Sequence, residues 1–493
     1  MKLLAGLDIG TTGAKIVVFS SQGELIERFY APYPSSRHSS LHEMDPLVLK
    51  ESVLSLVQKA LSVYPNLEGI GVTSFGESFV CLDKDDNPVY PILLYTDPRG
   101  KEEVEELVSA FGEEKIERIT GLKPHEMYSL PKLAHLAKED PEKFASVSKV
   151  LLMEDYVIYS LSGHRVIDYS LATRTLGFDL GKKEFSKELF SFFGIDPSLL
   201  STPVPAGTLV KGLKEEVFPN KSEFSLAPCG HDQFAVTIGS GVLSPGEAME
   251  GAGTVECIVP AFASFNPGLC KDNYNIVPFF SDLNLTYAFS YTGGAAVDWY
   301  VNTLHPEAKE TAKKEGKSVY DYLGENYHNE PTGILFLPHL AGAATPYMDL
   351  GSKAAFVGLT LGSDEKDLYL SVLEGVAYEM RLNIETLASH GVSIASLIAS
   401  GGGSKNPIWN QIKADITGIP ITILKGEEAG ARGSAMLLSS SLGIYPSLGE
   451  AGKAFIQKDK VVQPNKEAKR KYDAVYSRYA KLYRAIRPLM EEK

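Results

Sequence analysis

The chain opens with an apolar run, a small hydroxyl-rich break and a second apolar run. Leu3–Leu7 reads as a strand, Asp8–Gly13 as a tight turn and Ala14–Ser20 as a return strand, with Ser21–Glu24 turning the chain again. Strand-like and helix-like periods then alternate. Leu47–Val63 has helical spacing behind Asp45-Pro46, Leu67–Ser74 and Phe79–Leu82 read as buried strands, and Lys101–Phe111 and Lys132–Lys138 as helices. Ser225–Cys229 is a short strand that runs into Gly230-His231-Asp232-Gln233, with the helix-like Phe234–Gly239 behind it.

The second half repeats this style. Strands of a hairpin run from Ala248 to Pro260 around Gly251-Ala252-Gly253-Thr254, and the spacing predicts helices over Ala295–Leu304, Asp364–Ser389, Ile408–Thr417 and Gly433–Leu442. Strands are predicted at Ile334–Pro338, Ser396–Ser400 and Ile419–Leu424, and one amphipathic helix over Lys466–Met490 carries a stripe of Tyr472, Tyr476, Tyr479 and Tyr483 that reads as packing against the body. Two hydroxyl-tipped hairpins near the starts of the two halves suggest an internal duplication. The expected division is a first domain over 1–243, a second over 244–445 and a helical tail over 446–493, with prolines and no low-complexity linker near the boundary.

Composition narrows the class. A chain of 493 residues holds two or three domains, and 44% hydrophobic with 22% charged residues is the balance of a soluble globular protein. The formal net charge of −14 argues against nucleic acid as the main partner, because phosphate backbones demand basic patches. It leaves room for a small anion held locally by backbone amides and a cation. Cys81, Cys229, Cys257 and Cys270 form no CxxC pair and read as free thiols in a reducing cytoplasm. The start MKLLAGLD has too short an apolar run for a signal peptide, and no run approaches the ~20 residues that span a bilayer.

The hairpin tips carry the first chemistry. Backbone N–H groups and the hydroxyls of Thr11 and Thr12 suit an anion, Gly13 permits close approach, Lys15 adds positive charge and Asp8 sits where it could hold hydrated magnesium. An ordinary hairpin with a polar tip has the same composition. Asp232, after a strand and before a helix, can accept a proton from an attacking hydroxyl as phosphoryl transfer requires, and taken alone it reads equally as a helix N-cap. In Ser400–Gln411, Gly401 and Gly402 let the backbone approach a ring or phosphate and Asn406 can bond adenine, or the run is a plain turn. Glu77 lies between two strands where it can accept sugar hydroxyls, while Asp97 and Arg99 on a loop read as ligand contacts or as an ion pair. There is no GxxxxGK[ST], HExxH or EF-hand pattern, and the GxG pieces lack a dinucleotide context.

In order along the chain stand DIGTTGAK, GLKPHEMYSLPKLAHL (121–136), DYSLATRTLGFDL (168–180), GHDQ, GAGTVE, FLPHLAGAATPYMD (336–349), FVGLTLGSDEKDLYLSVLEGVAYEMR (356–381) and SGGGSKNPIWNQIKADITGIPI. This series resembles the FGGY family of carbohydrate kinases, within the actin/hexokinase/Hsp70 ATPase fold, from about Leu3 to about Leu442. The resemblance implies an α/β chain of two duplicated actin-like, ribonuclease H-like domains with a cleft between them, the first mainly for sugar and the second mainly for nucleotide. It implies ATP and Mg2+ as cofactors, a sugar or polyol as substrate, and often a homodimer. On this chain Asp232 becomes the general base and Asp8 the organiser of magnesium through water. Thr11, Thr12, Gly13, Lys15, Gly253 and Thr254 would line the phosphates; Gly293, Gly294, Gly401, Gly402 and Asn406 the rest of the nucleotide; Gly76, Glu77, Asp97, Arg99, Asp232 and Gln233 the sugar.

Departures bear on the substrate. Xylulokinases of the family usually carry Met-His where this chain has Gly76-Glu77, and glycerol kinases Arg-Glu. His135 replaces a common tryptophan, and Ala343 and Ala344 replace a common glutamate and arginine. Glu77 favours a neutral polyhydroxylated chain and would repel a sugar acid such as gluconate unless Arg99 or Arg174 reached it. The expectation is a cytoplasmic, xylulokinase-like enzyme for a ketopentose, with glycerol, ribulose, fuculose or gluconate as other substrates. A chaperone-like ATPase, a sugar-sensing regulator and a silent pseudokinase are the rival classes. The first would carry a peptide or polymer surface and the second a basic helix-turn-helix, neither of which the sequence presents.

Overall fold

The computed structural model describes residues 2–490, so Met1 and the last three residues of the expected tail lie outside the described residues. The chain divides into two units. One comprises Met1–Leu243, Asn275–Leu285 and Glu428–Gln457; the other comprises Ser244–Tyr274, Thr286–Glu427 and Lys458–Lys493. Residues of the sequence-defined 244–445 stretch therefore contribute to both.

In the first unit the strands lie in the order Val210–Lys211, Ser225–His231, Leu67–Ser74, Leu3–Ile9, Gly13–Ser20, Leu25–Pro32. Leu3–Ile9, Leu67–Ser74 and Ser225–His231 are parallel, and the hairpin strands are antiparallel. Leu3–Ile9 is buried on both faces apart from Asp8, as a central strand must be. Asp8 belongs to the strand and pairs with Lys15, so the turn is shorter than the expected 8–13. The opposite charges of Asp8 and Lys15 favour this cross-strand register.

In the second unit Glu256–Phe262 pairs antiparallel with both Glu247–Ala252 and Ala288–Ser290. Glu247–Ala252, Ser396–Ser400 and Ile421–Leu424 run parallel, and Lys458–Val462 closes this side antiparallel. Hairpin, two further parallel strands and an antiparallel edge thus recur in each unit, which is the duplication expected from the two turns.

Small residues decide how the helices of the first unit pack. The helix Ala429–Ser441 starts four residues before the expected Gly433, since glycines that read as breakers are contact points here. A Cβ on Gly433 would lie 1.9 Å from the carbonyl oxygen of Ala235, and one on Gly6 would lie 2.0 Å from that of Ala431. The helix Asp232–Gly239 meets this helix backbone to backbone, with a Gly239 Cβ only 1.8 Å from the Ala429 oxygen. Gly433→Ala gains about 1 kcal/mol of helix propensity, but no rotamer relieves a clash with a carbonyl. The net loss should be roughly 1–3 kcal/mol, read as a lower urea midpoint with an unchanged slope.

The tyrosine stripe of the tail packs in the second unit. Tyr472, Tyr476 and Tyr479 are buried, and the Tyr476 and Tyr479 hydroxyls donate to Glu385 and Glu379 of the helix Glu365–Ser389 at 2.9 and 2.7 Å. The tail is not one helix: Lys466–Tyr479 is followed by Leu482–Ile486 and a 3-10 turn over Arg487–Met490, where Pro488 has no N–H to continue the ladder. Among the described residues no helix is long and apolar enough to cross a membrane.

Candidate active site

The site of the first unit grows from strand ends. Leu3–Ile9 delivers Asp8, and the Gly10–Thr12 turn is held by Gly10 N–H donating to Gly13 O at 3.0 Å and by the Tyr33 hydroxyl donating to Gly10 O at 2.6 Å. Thr11 and the exposed Thr12 stand at the tip, and a Cβ on Gly13 would run into the Tyr30 hydroxyl at 2.4 Å. Lys15 Nζ lies 3.7 Å from Asp8 Oδ2 and 2.5 Å from Glu428 Oε2, and Arg28 also reaches Glu428 at 3.3 Å. Burial pushes the Asp8 carboxyl up to about 6; Lys15 opposes this, while the charges of Asp232 and Glu428 add to it. No group of three or more His, Cys, Asp or Glu able to cage a cation occurs among the described residues. A divalent ion here would take most of its oxygens from phosphate and water, the usual habit of magnesium, and Asp8 is the carboxylate that fits such an ion beside the tip.

Strand Ser225–His231 delivers Asp232 to the first turn of the helix Asp232–Gly239. The N-cap position is His231, with no side-chain cap bond, so Asp232 is not the capping residue. Its Oδ1 accepts from Gln233 N–H at 2.5 Å and lies 3.2 Å from His231 Nε2, and over a third of the side chain, 37%, is exposed. Burial of the carboxyl pushes it up to about 6 against the lowering effects of the Gln233 N–H and Arg174. The preceding turn is fixed from behind. Gly230, at φ +88°, donates its N–H to Glu154 Oε1 at 2.6 Å, its oxygen accepts from Thr73 at 2.6 Å, and His231 N–H donates to Ser170 Oγ at 2.9 Å.

Glu77 stands beside this turn in a left-handed conformation, φ +64°, which a non-glycine residue holds only when its surroundings impose it. Ser129 Oγ donates to its carbonyl at 2.6 Å, and Arg174 Nε donates to its Oε1 at 2.5 Å. Arg174 therefore answers the charge of Glu77 directly. A Cβ on Gly76 would lie 3.0 Å from the His231 ring and 3.1 Å from the Arg174 stem, so both side chains occupy the room that glycine leaves.

Asp97 and Arg99 form an ion pair. Asp97 is buried and accepts from the Arg99 guanidinium at 2.8 Å and from His42 N–H at 2.8 Å, while Arg99 also pairs with Glu43 at 2.5 Å. Burial would raise the Asp97 carboxyl, but these hydrogen bonds prevail and hold it below its ordinary range. Lys132, fully buried, ties its ammonium to the carbonyls of Asp97 and Arg99. Gln233 follows Asp232 on the same helix.

In the second unit the three glycine-bearing turns come together. Gly293 N–H donates to Thr254 O at 2.9 Å and Gly294 N–H to Gly253 O at 2.8 Å, while a Cβ on Gly401 would lie 2.7 Å from Ala252 O. Gly253, Thr254, Gly401 and Gly402 are exposed. Asn406 caps the helix Pro407–Thr417, accepting from Ile408 and Trp409 N–H, and its amide donates to the Tyr369 hydroxyl at 3.3 Å. Its side chain is thus committed to the protein. Beneath the turn, fully buried Lys413 pairs with Glu250 and, at 3.1 Å, with Glu256, bracing both legs of the hairpin.

Sequence reasoning brought Asp8, Asp232, Gly76 and Glu77 to one place but missed His231, Glu428 and the pairing of Arg174 with Glu77. His231 stood in view inside GHDQ. Nothing local marks Glu428, which joins Lys15 from the far end of the sequence. The Asp232 carboxylate, close enough to Asp8 to help raise it, and the hydroxyl-tipped turn after Asp8 stand on duplicated sheets of the actin-like ATPase kind.

The comparisons agree. Residues 3–239 match the N-terminal domain of the FGGY family of carbohydrate kinases and residues 281–442 its C-terminal domain. The chain is 28% identical to the xylulose kinase of Lactococcus lactis over 98% of this chain and 97% of that one, and 25% identical to that of Staphylococcus xylosus over 98% and 100%. The crystal structure of xylulose kinase from Rhodospirillum rubrum shares the fold with a TM-score of 0.90 at 22% identity, over 100% of each chain. The protein belongs to the FGGY family of carbohydrate kinases, and it is a sugar kinase that takes its phosphate from ATP.

Proposed function

We propose that this kinase transfers the γ-phosphate of ATP to a hydroxyl of a neutral sugar, a ketopentose such as xylulose first, with Asp232 as general base. The observation that carries the chemistry is the partly exposed Asp232 carboxylate on the first turn of its helix, near enough to Asp8 to help raise that carboxyl. Asp232 accepts the proton as the acceptor oxygen attacks. Loose phosphoryl transfer asks little else of covalent chemistry and much of positioning and charge neutralisation. Backbone and hydroxyl groups of Thr11, Thr12 and Gly13, with Lys15, serve the γ-phosphate; Gly253, Thr254, Gly293, Gly294, Gly401 and Gly402 serve the nucleotide. Asn406 serves it by holding its helix start rather than by a free amide. Mg2+, when bound through water at Asp8, supplies charge neutralisation. Gly76, the Glu77–Arg174 pair and Gln233 face the sugar, and the Asp97–Arg99 pair shapes the loop beside them.

The ketopentose assignment rests on full-length relatives named xylulose kinases and on the net neutrality of Glu77 with Arg174. We place the enzyme in the cytoplasm, with no nucleic-acid or membrane partner, in keeping with its acidic charge of −14. ATP consumption against xylulose, ribulose, fuculose, glycerol and gluconate tests the reading. Turnover confined to neutral ketoses supports it. Turnover on gluconate alone would make the substrate a sugar acid, and ATP binding without turnover on any sugar would make the chain a pseudokinase.

The same assignment fixes a pH dependence. Asp232 acts only when ionised, and its carboxyl is raised from 3.8 to about 6. kcat/KM should therefore fall about tenfold per unit as pH drops below about 6. Stability moves the other way. A raised carboxyl favours the fold while protonated, and this contribution is lost as pH rises from about 4 through about 6.

A further inference from the structure

We infer that His231 is the positioning residue for Asp232, donating its Nε2–H to the Asp232 carboxylate and so setting the direction from which that base meets the acceptor hydroxyl. This rests on the reading of Asp232 as the base. The geometry carries it. His231 Nε2 lies 3.2 Å from Asp232 Oδ1, and that same oxygen takes the Gln233 N–H at 2.5 Å. A second donor on the oxygen that already takes the Gln233 N–H would fix the plane of the carboxylate and leave Oδ2 as the proton acceptor. A carboxylate oxygen at this distance selects the imidazole tautomer with hydrogen on Nε2, since the bare nitrogen would set lone pair against lone pair.

The residue is enclosed and its backbone is anchored. It is only 8% exposed. Its backbone N–H is anchored on Ser170 Oγ at 2.9 Å, and the preceding Gly230 is anchored on Glu154 and Thr73. Gly76 supplies the space, because a Cβ there would stand 3.0 Å from Cδ2 and 3.3 Å from Nε2 of His231. Burial, helped by the nearby positive charge of Arg174, lowers the imidazole to about 4, so the ring stays a neutral donor throughout the range in which Asp232 is ionised.

The test compares His231→Leu, His231→Gln, Gly76→Ala and Asp232→Asn in steady-state kinetics on the sugar the enzyme phosphorylates, with thermal melting as a check on folding. Leucine removes the donor; glutamine returns an N–H near the Nε2 position. His231→Leu should lower kcat on the order of 10- to 100-fold, the cost of a reacting group displaced by up to about 1 Å, with KM for sugar and ATP within about twofold. His231→Gln should restore kcat to within about fivefold of the parent. Gly76→Ala leaves His231 in place but pushes its ring by a few tenths of an ångström, and should cost kcat several-fold; it keeps the inference testable should leucine fail to fold. Wild-type kcat in folded His231→Leu, with Asp232→Asn inactive, would overturn the role of His231 and leave the base in place. A rise in sugar KM at constant kcat would overturn it too, by making the imidazole a sugar contact. A fully active Asp232→Asn would instead overturn the base itself.

Discussion

Asp232→Asn should lower kcat by roughly 10²–10⁴-fold, the usual worth of a general base, while KM and the folded structure stay close to the parent. The asparagine oxygen can still accept the Gln233 N–H, which the carboxylate takes at 2.5 Å, and can still face His231 at 3.2 Å. What it cannot do is take a proton. Phosphoryl transfer then proceeds with a hydroxyl that carries its proton into the transition state. A competing account of Asp232 as a favourable charge at a helix start makes the opposite prediction. It would cost about 0.3–1 kcal/mol of stability and leave turnover intact. Coupled measurement of ADP release together with a denaturation midpoint separates the two. The partly exposed carboxyl, raised to about 6, is a burden on the fold at neutral pH, so the asparagine protein should be no less stable than the parent there.

Arg174→Leu should destabilise the protein by about 3–5 kcal/mol, because it strips a buried carboxylate of its cation. The Glu77 and Arg174 side chains are 5% and 7% exposed, so water cannot readily take the place of the guanidinium. Adding Glu77→Gln to Arg174→Leu should recover most of the loss, since the unpaired charge is gone. The interaction energy of this cycle, read from urea midpoints, reports the pair itself. A cycle that sums to zero would mean that the two side chains do not depend on each other. The single change Glu77→Gln removes the anionic partner of the guanidinium, and discrimination against anionic sugars should weaken. That outcome would show that Glu77 helps keep the pocket selective for neutral substrates.

The sequence by itself determined the family and the two hydroxyl-tipped hairpins. Strand and helix periods are local properties, and the glycine and hydroxyl turns after Asp8 and after Ala252 are visible without reference to distant residues. Leu67–Ser74, Phe79–Leu82, Lys101–Phe111 and Ser396–Ser400 were legible to the residue for the same reason. Where the local pattern failed, packing had overruled it. The helix expected to begin at Gly433 begins at Ala429 and takes in Gly430, and only glycine lets the Gly433 backbone meet the Ala235 carbonyl.

Tertiary structure alone decided the charges of the site. Glu77 reads from sequence as a bare carboxylate for sugar hydroxyls, but Arg174, ninety-seven positions along, neutralises it. Lys15 reads as a free cation for phosphate, but Glu428 shares it from across the chain. Asp97 and Arg99 turn to one another and to Glu43, and Asn406 spends its amide on a helix start. Ion pairs and hydrogen bonds act over a few ångströms. Which partners come that close is set by how the strands and helices stack, and no local pattern in the chain encodes it.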